Sequence, residues 1–359
     1  MKKYLSLILV VVLVLAATAN SVLAAPSGDR SELEFPNAKV VISLPGMLGD
    51  KSYNDLMAKA KADLERDYGI TVDLFEARST ADFESNILAA ANGGYDLVCV
   101  LAGQQREAAR NVVSQYPDQK FATIDFVLYD DDGEIYPNIM CAITAPNEGQ
   151  FLVGVVCALM TTYTELPNIN EEKIVGWITG TETPLINDFW VGFRQGVNYI
   201  DPDITILQAF AGTYTDPIKG KELALAQYEQ GADIIAQVAS ATGLGIIEAA
   251  AEVEKYVIGV DDNQDDLAPG FVVTSMYKHV GTAAYTLIEA FITGNFDGGS
   301  YKYMDLAAGG VGLTDFAVFK EAWGDKFPQH IQDEAEVIAQ KIIDGEIVVD
   351  MHPGVRPWF

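Results

Sequence analysis

The sequence has little positive charge. It carries 23 lysine and arginine residues against 51 aspartate and glutamate residues, which gives a net charge of −28 at pH 7. A chain of this charge repels nucleic acid and anionic lipid surfaces. We therefore expect no nucleic-acid partner.

Cysteine is scarce as well. Cys99, Cys141 and Cys157 each lie in an apolar run, where a free cysteine packs as a small hydrophobic residue. The odd count argues against a disulfide framework, although a bridge between Cys141 and Cys157 remains an alternative.

The sequence lacks the usual signatures of a hydrolase. Its only histidines are His279, His330 and His352, and none lies beside a Gly-x-Ser-x-Gly elbow, an HExxH motif or a cysteine partner. We expect a protein that is not an enzyme.

Cofactor and metal motifs are weak. The glycine-containing loop at 46–51 is shorter than a phosphate-binding P-loop, and Asp50 would repel a phosphate. The acidic pairs at 261–262 and 265–266 suggest a cation site, but they lack the glycine and glutamate of a calcium loop. We expect neither a cofactor nor a metal.

The first residues predict export. Lys2 and Lys3 precede an apolar core at 5–17, and small residues end at Ala24, as in a cleaved signal peptide over 1–24. No cysteine lies near the cleavage point, and no later run holds 18 apolar residues. The sequence therefore predicts an exported protein without a lipid anchor or a membrane span, periplasmic in a double-membraned bacterium or secreted from a single-membraned cell, with an unstructured leader at 25–37.

From residue 38 onward, strand and helix patterns alternate. Ten short apolar runs and eight amphipathic segments follow one another up to residue 293, an order typical of parallel sheets covered on both faces. The roughly 330 residues that follow the signal peptide are more than a single hydrophobic core usually holds. We expect an α/β fold of two similar, doubly wound lobes that face one another.

The loop after the first strand is the strongest candidate for binding. It holds Asp50, Ser52, Tyr53 and Asn54 where a strand's carboxyl end meets a helix, the edge at which open α/β sheets bind ligands. Ser52 is the expected N-cap of that helix, with Asp55 three residues on.

Other polar or aromatic residues follow later strands and are expected at the same edge: Gly103, Gln104, Asp125, Phe189, Trp190, Asp261 and Lys278. Aromatic faces beside carboxylates and amides suit a planar, uncharged molecule rich in hydroxyl groups. Phe189 could equally be a core residue, and Trp190 is the alternative candidate for the aromatic residue of the binding pocket.

These segments resemble one known family. The stretches that carry the resemblance are 49–54, 116–125, 148–154, 192–197, 259–261 and 274–278, and the likeness extends over about 38–315. In this order they are similar to the basic membrane protein (BMP) family of substrate-binding proteins. Several members of that family deliver purine nucleosides to an ABC importer.

The resemblance implies a type I periplasmic binding protein. Its two lobes would comprise 38–145 plus 276–308 and 146–275 plus 309–359, joined by three hinge crossovers near 144–147, 274–277 and 305–312. Closure of the lobes would bury the ligand and create the surface that a permease in the inner membrane recognises.

The resemblance also implies roles for individual residues. Tyr53 and Phe189 would stack on a purine base. Asp125 would bind the hydrogen-bonding edge of that base, and Asp261 with Lys278 would bind the ribose hydroxyls. Two structural alternatives stay open: an ion pair between Asp261 and Lys278 across the lobes, and a capping role for Asp125.

We accordingly expect a monomeric protein that binds a purine nucleoside or nucleobase. The alternatives are a binding protein for another small ligand such as a flavin or a sugar, a sensory receptor subunit, and a nucleoside-processing enzyme.

Overall fold

The structure, a computed structural model, describes residues 33–354. The predicted signal peptide at 1–24 and the residues after 354 lie outside this range. The described part of the predicted leader, 33–37, belongs to the folded protein, because the ring of Phe35 stacks on Phe291 with 4.9 Å between the centroids. The unstructured leader predicted for 25–37 therefore does not extend to residue 37.

The first lobe is built on a sheet of six parallel strands: β1 (Lys39–Ser43), β2 (Thr71–Phe75), β3 (Leu97–Leu101), β4 (Lys120–Ile124), β5 (Ile139–Thr144) and β11 (Ser300–Met304). Their order is β2-β1-β3-β4-β5-β11. Four helices cover this sheet: α1 (Tyr53–Tyr68), α2 (Asp82–Asn92), α3 (Arg106–Val113) and α8 (Val280–Ile292). Helices α1 and α8 contact each other, as do α2 and α3.

The second lobe repeats this plan: β6 (Ile174–Thr179), β7 (Thr205–Phe210), β8 (Ile234–Val238), β9 (Tyr256–Asp261), β10 (Val272–Lys278) and β12 (Val311–Leu313). The order is β7-β6-β8-β9-β10-β12, and β12 alone runs antiparallel to its neighbour. Its helices are α4 (Pro146–Thr162), α5 (Pro184–Ile200), α6 (Pro217–Glu229), α7 (Ala241–Glu252), α9 (Ala317–Trp323) and α10 (Gln329–Ile343).

The predicted fold class is confirmed. The ten apolar runs correspond to β1–β10, and the eight amphipathic segments to α1–α8. Strand β3 illustrates why these strands could be predicted: all five of its residues are buried, and a strand buried on both faces is a continuous apolar run in the sequence. Strand β11 was not predicted, because it is a partly exposed edge strand that mixes polar and apolar residues. Strand β12 was not predicted, because it has only three residues.

The chain passes between the lobes after β5, after β10 and between β11 and β12. Strand β10 stays in the second sheet as far as Lys278, because Met276–Lys278 pair with β12. The predicted return to the first lobe at 276 is thus slightly early. Lys278 therefore belongs to the second lobe.

Glycines bring α4 and α5 into close contact. A Cβ atom on Gly192 would lie 2.0 Å from the carbonyl oxygen of Asn147, and one on Gly196 would lie 2.0 Å from that of Phe151. Such distances allow only hydrogen at these positions. This contact fixes the position of α5, which carries Phe189.

The three cysteines are free and buried, as predicted, and Cys141 does not pair with Cys157. Burial raises the pKa of Cys141 to about 11. Within residues 33–354, no helix has the length and apolar character needed to cross a membrane.

Candidate functional site

A cavity of about 440 Å³ lies between the two lobes, where the carboxyl ends of both sheets face each other. Both lobes contribute to its wall. Its lining includes Gly46, Asp50, Tyr53, Asn54, Arg78, Gly103, Gln104, Asp125, Leu185, Phe189, Tyr214, Ser240, Asp261 and Lys278.

The loop before α1 is held by Asp50. This buried carboxylate accepts hydrogen bonds from the backbone N–H groups of Ser52 (3.1 Å), Asn54 (2.9 Å) and Asp55 (3.1 Å), and from the hydroxyl of Ser240 in the second lobe (2.8 Å). Asp50 therefore satisfies the first N–H groups of the helix. Ser52 is the N-cap residue of α1, as predicted, but its side chain makes no capping hydrogen bond.

Two aromatic rings face the cavity from opposite lobes. Tyr53 begins α1, while Phe189 lies in the second turn of α5 and is only 2% exposed. The ammonium of Lys278 lies 5.0 Å from the centroid of the Tyr53 ring and 5.6 Å from that of Phe189. The cation interacts with both ring faces, and we refer to the part of the cavity between these two rings as the slot.

Asp125 lies at the edge of this slot and is fully buried. Its carboxylate accepts hydrogen bonds from the hydroxyls of Tyr53 (2.9 Å) and Thr144 (2.9 Å), and it forms an ion pair with Lys278. Burial, followed by the neighbouring charge of Asp125, raises the pKa of Tyr53 well above its usual value. The phenol is therefore a hydrogen-bond donor at neutral pH.

Asp261 faces the cavity from the end of β9. Its carboxylate accepts a 2.6 Å hydrogen bond from the hydroxyl of Ser52 across the cleft. Burial raises its pKa from 3.8 to about 6; Lys278 and Ser52 act to lower it, while the charges of Asp50 and Asp125 raise it. The direct ion pair of Lys278 is with Asp125, so the alternative of an Asp261–Lys278 bridge is not what the structure shows.

Several cavity residues have unusual backbone conformations. Asp125 (φ 68°), Asp261 (φ 67°), Ala102 (φ 63°) and Ser240 (φ 50°) lie in the left-handed region although none is glycine. Each follows or ends a strand of its sheet, at related places in the two lobes. Left-handed conformations cost free energy for such residues and are concentrated at functional sites.

The predicted residues are placed as follows. Asp50, Tyr53, Asn54, Gly103, Gln104, Asp125, Phe189, Asp261 and Lys278 line the cavity. Ser52 is buried behind it and contacts Asp261. Trp190 faces the core of the second lobe instead, with its ring 5.2 Å from Trp177, because one residue along a helix rotates the side chain by about 100°.

Some residues that line the cavity were not predicted from the sequence. Tyr214 lies in the loop after β7, and its ring covers Gly180, where a Cβ atom would come within 2.3 Å of it. The sequence pattern that could have identified Tyr214 is an aromatic residue just beyond the carboxyl end of a predicted strand.

Asn54, which was predicted, has a further feature of its own. Its buried Oδ1 atom has no hydrogen-bond partner among residues 33–354.

The acidic pairs of the 261–266 loop do not converge. Asp261 contacts Ser52, Asp262 pairs with Lys59, and Asp265 accepts a 2.6 Å hydrogen bond from Ser275. Residues 33–354 contain no group of three or more histidine, cysteine, aspartate or glutamate side chains placed to hold a metal ion.

Comparison with known proteins gives consistent matches. The family model described as "ABC transporter substrate-binding protein PnrA-like" (Bmp) matches residues 37–351. Basic membrane protein B of Borrelia garinii subsp. bavariensis is 30% identical over 329 residues, which cover 89% of this chain and 90% of that protein. The CD4+ T-cell-stimulating antigen of Listeria innocua is 28% identical over 372 residues, or 97% and 98% of the two chains.

Solved structures agree. An ABC transporter solute-binding protein from Aeropyrum pernix has 27% sequence identity and a TM-score of 0.77, covering 88% of this chain and 94% of that one. A second, from Conexibacter woesei, has 22% identity and a TM-score of 0.64, covering 88% and 99%, and shows the same fold.

The resemblance seen in the loop motifs is therefore confirmed over most of the chain. Membership of the family implies a small-molecule ligand and a permease partner, and the family acts outside the cytoplasm. The chain belongs to the PnrA-like (Bmp) family of ABC-transporter substrate-binding proteins.

Proposed function

We propose that the protein captures a purine nucleoside, or a related purine, between its two lobes and delivers it to an ABC importer. The slot between Tyr53 and Phe189 is the observation that carries this proposal. A planar base can stack on both rings, and base–aromatic stacking contributes about 1–3 kcal/mol per base.

The polar groups around the slot support a nucleoside in particular. Asp125 lies at the slot's edge and can accept a hydrogen bond from a base N–H, as can the unpartnered Oδ1 of Asn54. Asp261 faces the same cavity and can accept hydrogen bonds from ribose hydroxyls.

The ammonium of Lys278 competes with a stacked base, because it lies within cation–π distance of both rings and pairs with Asp125. Its charge already acts on Asp261 from this position. We propose that the ammonium shifts towards Asp261 and the sugar, which frees Asp125 to bind the base.

Capture involves closure of the lobes about the three crossovers near 144–147, 274–277 and 305–312, and no bond is made or broken. Ligand and closure are coupled, because the binding groups come from both lobes and are complete only when the lobes meet. The partner is a permease of the inner membrane, and the binding protein works as a periplasmic monomer released from its signal peptide.

A ligand screen tests the proposal. The protein is unfolded and refolded to remove bound ligand, then heated with inosine, guanosine, adenosine, free purines, uridine, riboflavin, ribose or glucose. A ligand at 100 times its dissociation constant adds about 2.7 kcal/mol to stability, which is readily visible as a thermal shift. We expect purine nucleosides to give the largest shift.

Three variants locate the binding. Tyr53→Ala and Phe189→Ala should weaken nucleoside binding by roughly 5- to 150-fold, the equivalent of about 1–3 kcal/mol of stacking. Trp190→Phe is the matched control, since that ring packs on the core and should leave binding unchanged. Stabilisation by a sugar or riboflavin but by no purine would refute the proposed ligand.

A further inference from the structure

A set of direct contacts joins the lobes beside the ligand cavity. On the first lobe they involve the 51–59 segment, and on the second lobe the loop after β9. We refer to Lys51, Lys59, Asp262 and Gln264 as the latch. All four lie outside the cavity lining.

The buried half of the latch is the amide of Gln264. Its Nε2 atom donates a 2.9 Å hydrogen bond across the cleft to the carbonyl oxygen of Lys51. Its Oε1 atom accepts from the backbone N–H of Val260 (3.0 Å) and from Nε2 of Gln237 (2.7 Å), both in the second lobe. The second lobe therefore fixes the orientation of the amide, with a donor directed at the first lobe.

The exposed half of the latch is an ion pair between Lys59 of α1 and Asp262. The Lys59 side chain is 59% exposed, so it lies at the rim of the cleft. Neither residue lines the cavity, which means that neither can distinguish one ligand from another.

Closure brings carboxylates together, and the latch adds to the bonds that already cross between the lobes in the cavity, where Ser52 donates to Asp261 and Lys278 pairs with Asp125. Asp50 and Asp125 of the first lobe both act on Asp261 of the second, and their charges raise its pKa. This like-charge repulsion opposes the closed form. Lys59 supplies a positive charge to the same boundary.

We propose that the latch sets the fraction of molecules with closed lobes, and thereby scales the affinity for every ligand by one common factor. The inference rests on the proposed closure of the lobes but not on the identity of the ligand. Apparent affinity falls in proportion to the population of the binding-competent form. A latch residue therefore changes the affinity through the position of the lobes and not through contact with the ligand.

The test uses three proteins besides the wild type. Lys59→Met removes the rim ion pair, and the charge-swapped double variant Lys59→Asp with Asp262→Lys restores it in reverse. Lys221→Met is the matched control, because Lys221 pairs with Glu248 and Glu252 within the second lobe alone.

The first readout follows the lobes without added ligand. Spin labels on Ala89→Cys in α2 and Ala226→Cys in α6, exposed positions on different lobes, report the interlobe distance by double electron–electron resonance. Lys59→Met should shift the distribution to longer distances. The charge swap should reverse the shift, and Lys221→Met should leave the distribution as in the wild type.

The second readout is the dissociation constant for inosine and for guanosine, measured by calorimetry. Loss of a rim ion pair should weaken both by the same factor, about two- to fivefold. Unequal factors for the two ligands, or an unchanged distance distribution in Lys59→Met, would overturn the proposal. If neither nucleoside binds any variant while the distances still shift, the proposed ligand is wrong and the latch stands.

Discussion

Replacement of Asp261 by asparagine should make the folded protein more stable at neutral pH and a weaker binder. Asp261 is only 8% exposed, and burial raises its pKa from 3.8 to about 6 despite the opposing effects of Lys278 and Ser52. A carboxylate that is ionised here at pH 7 therefore lowers the free energy of unfolding. Asparagine keeps the shape and an acceptor for Ser52 without the charge.

The magnitude follows from the pKa difference. One pKa unit corresponds to about 1.4 kcal/mol, so a rise from 3.8 to about 6 is worth about 3 kcal/mol at pH values above both. Because the folded form binds more protons than the unfolded form between these values, the free energy of unfolding falls as the pH rises through this window. At about pH 4 the wild type and Asp261→Asn should have nearly equal free energies of unfolding. At about pH 7 the free energy of unfolding of the variant should be higher by up to about 3 kcal/mol.

The assay is urea unfolding of both proteins from about pH 4 to pH 7 after removal of bound ligand. Asp188, whose pKa burial raises to about 7, contributes equally to both curves, so the difference between them isolates Asp261. A difference that does not change with pH, or a variant less stable than the wild type at neutral pH, would refute the reasoning. In calorimetry the variant should bind inosine roughly 10- to 150-fold more weakly, the equivalent of about 1.5–3 kcal/mol for a hydrogen bond to a charged group.

Two further substitutions, each with a matched control, test the packing and the buried charges. Gly192→Ala should reduce the free energy of unfolding by about 1–3 kcal/mol, since the added methyl group meets backbone of α4, whereas Gly312→Ala, whose Cβ atom would meet nothing within 4 Å, should change it far less. Lys255→Met should cost about 1–3 kcal/mol because it removes a charge partner of the fully buried Asp233, whereas Lys221→Met, which loses two ion pairs with exposed glutamates, should cost less than about 1 kcal/mol. Urea unfolding at pH 7 measures all four, and equal losses within either pair would contradict the argument.

Much of the site was predictable because parallel sheets place their strands' carboxyl ends at one edge. Asp125 and Asp261 end or follow strands, and both line the cavity. Tyr53 was predictable from the strand–loop–helix pattern before α1. No contact between distant residues had to be known to identify these positions.

The partners of these residues were not predictable. The sequence placed Ser52 correctly at the N-cap of α1, but the side-chain capping bonds come from Asp50, and the Ser52 hydroxyl contacts Asp261, 209 positions away. Either residue type can cap a helix, and the bond that directs the Ser52 hydroxyl to Asp261 comes from the second lobe, which the local pattern does not describe. The ion pair of Lys278 with Asp125 likewise depends on how the lobes meet.

The choice between Phe189 and Trp190 shows the same limit. Both are large aromatic residues near the start of α5, and the helix's rotation about its axis decides which one faces the cavity. That rotation is fixed by glycine contacts with α4, in which Gly192 approaches the backbone at Asn147. A helical pattern in the sequence gives the angle between two side chains but not the direction of either.

The fold class, the family and the edge at which a ligand would bind could be inferred without a structure, because burial patterns and loop motifs are local in the chain. Three features could be seen only in the folded molecule: which lobe carries Lys278, how the carboxylates are paired and which residues join the lobes. These depend on contacts between segments far apart in sequence, whose free energies are set by distance and burial in the folded molecule.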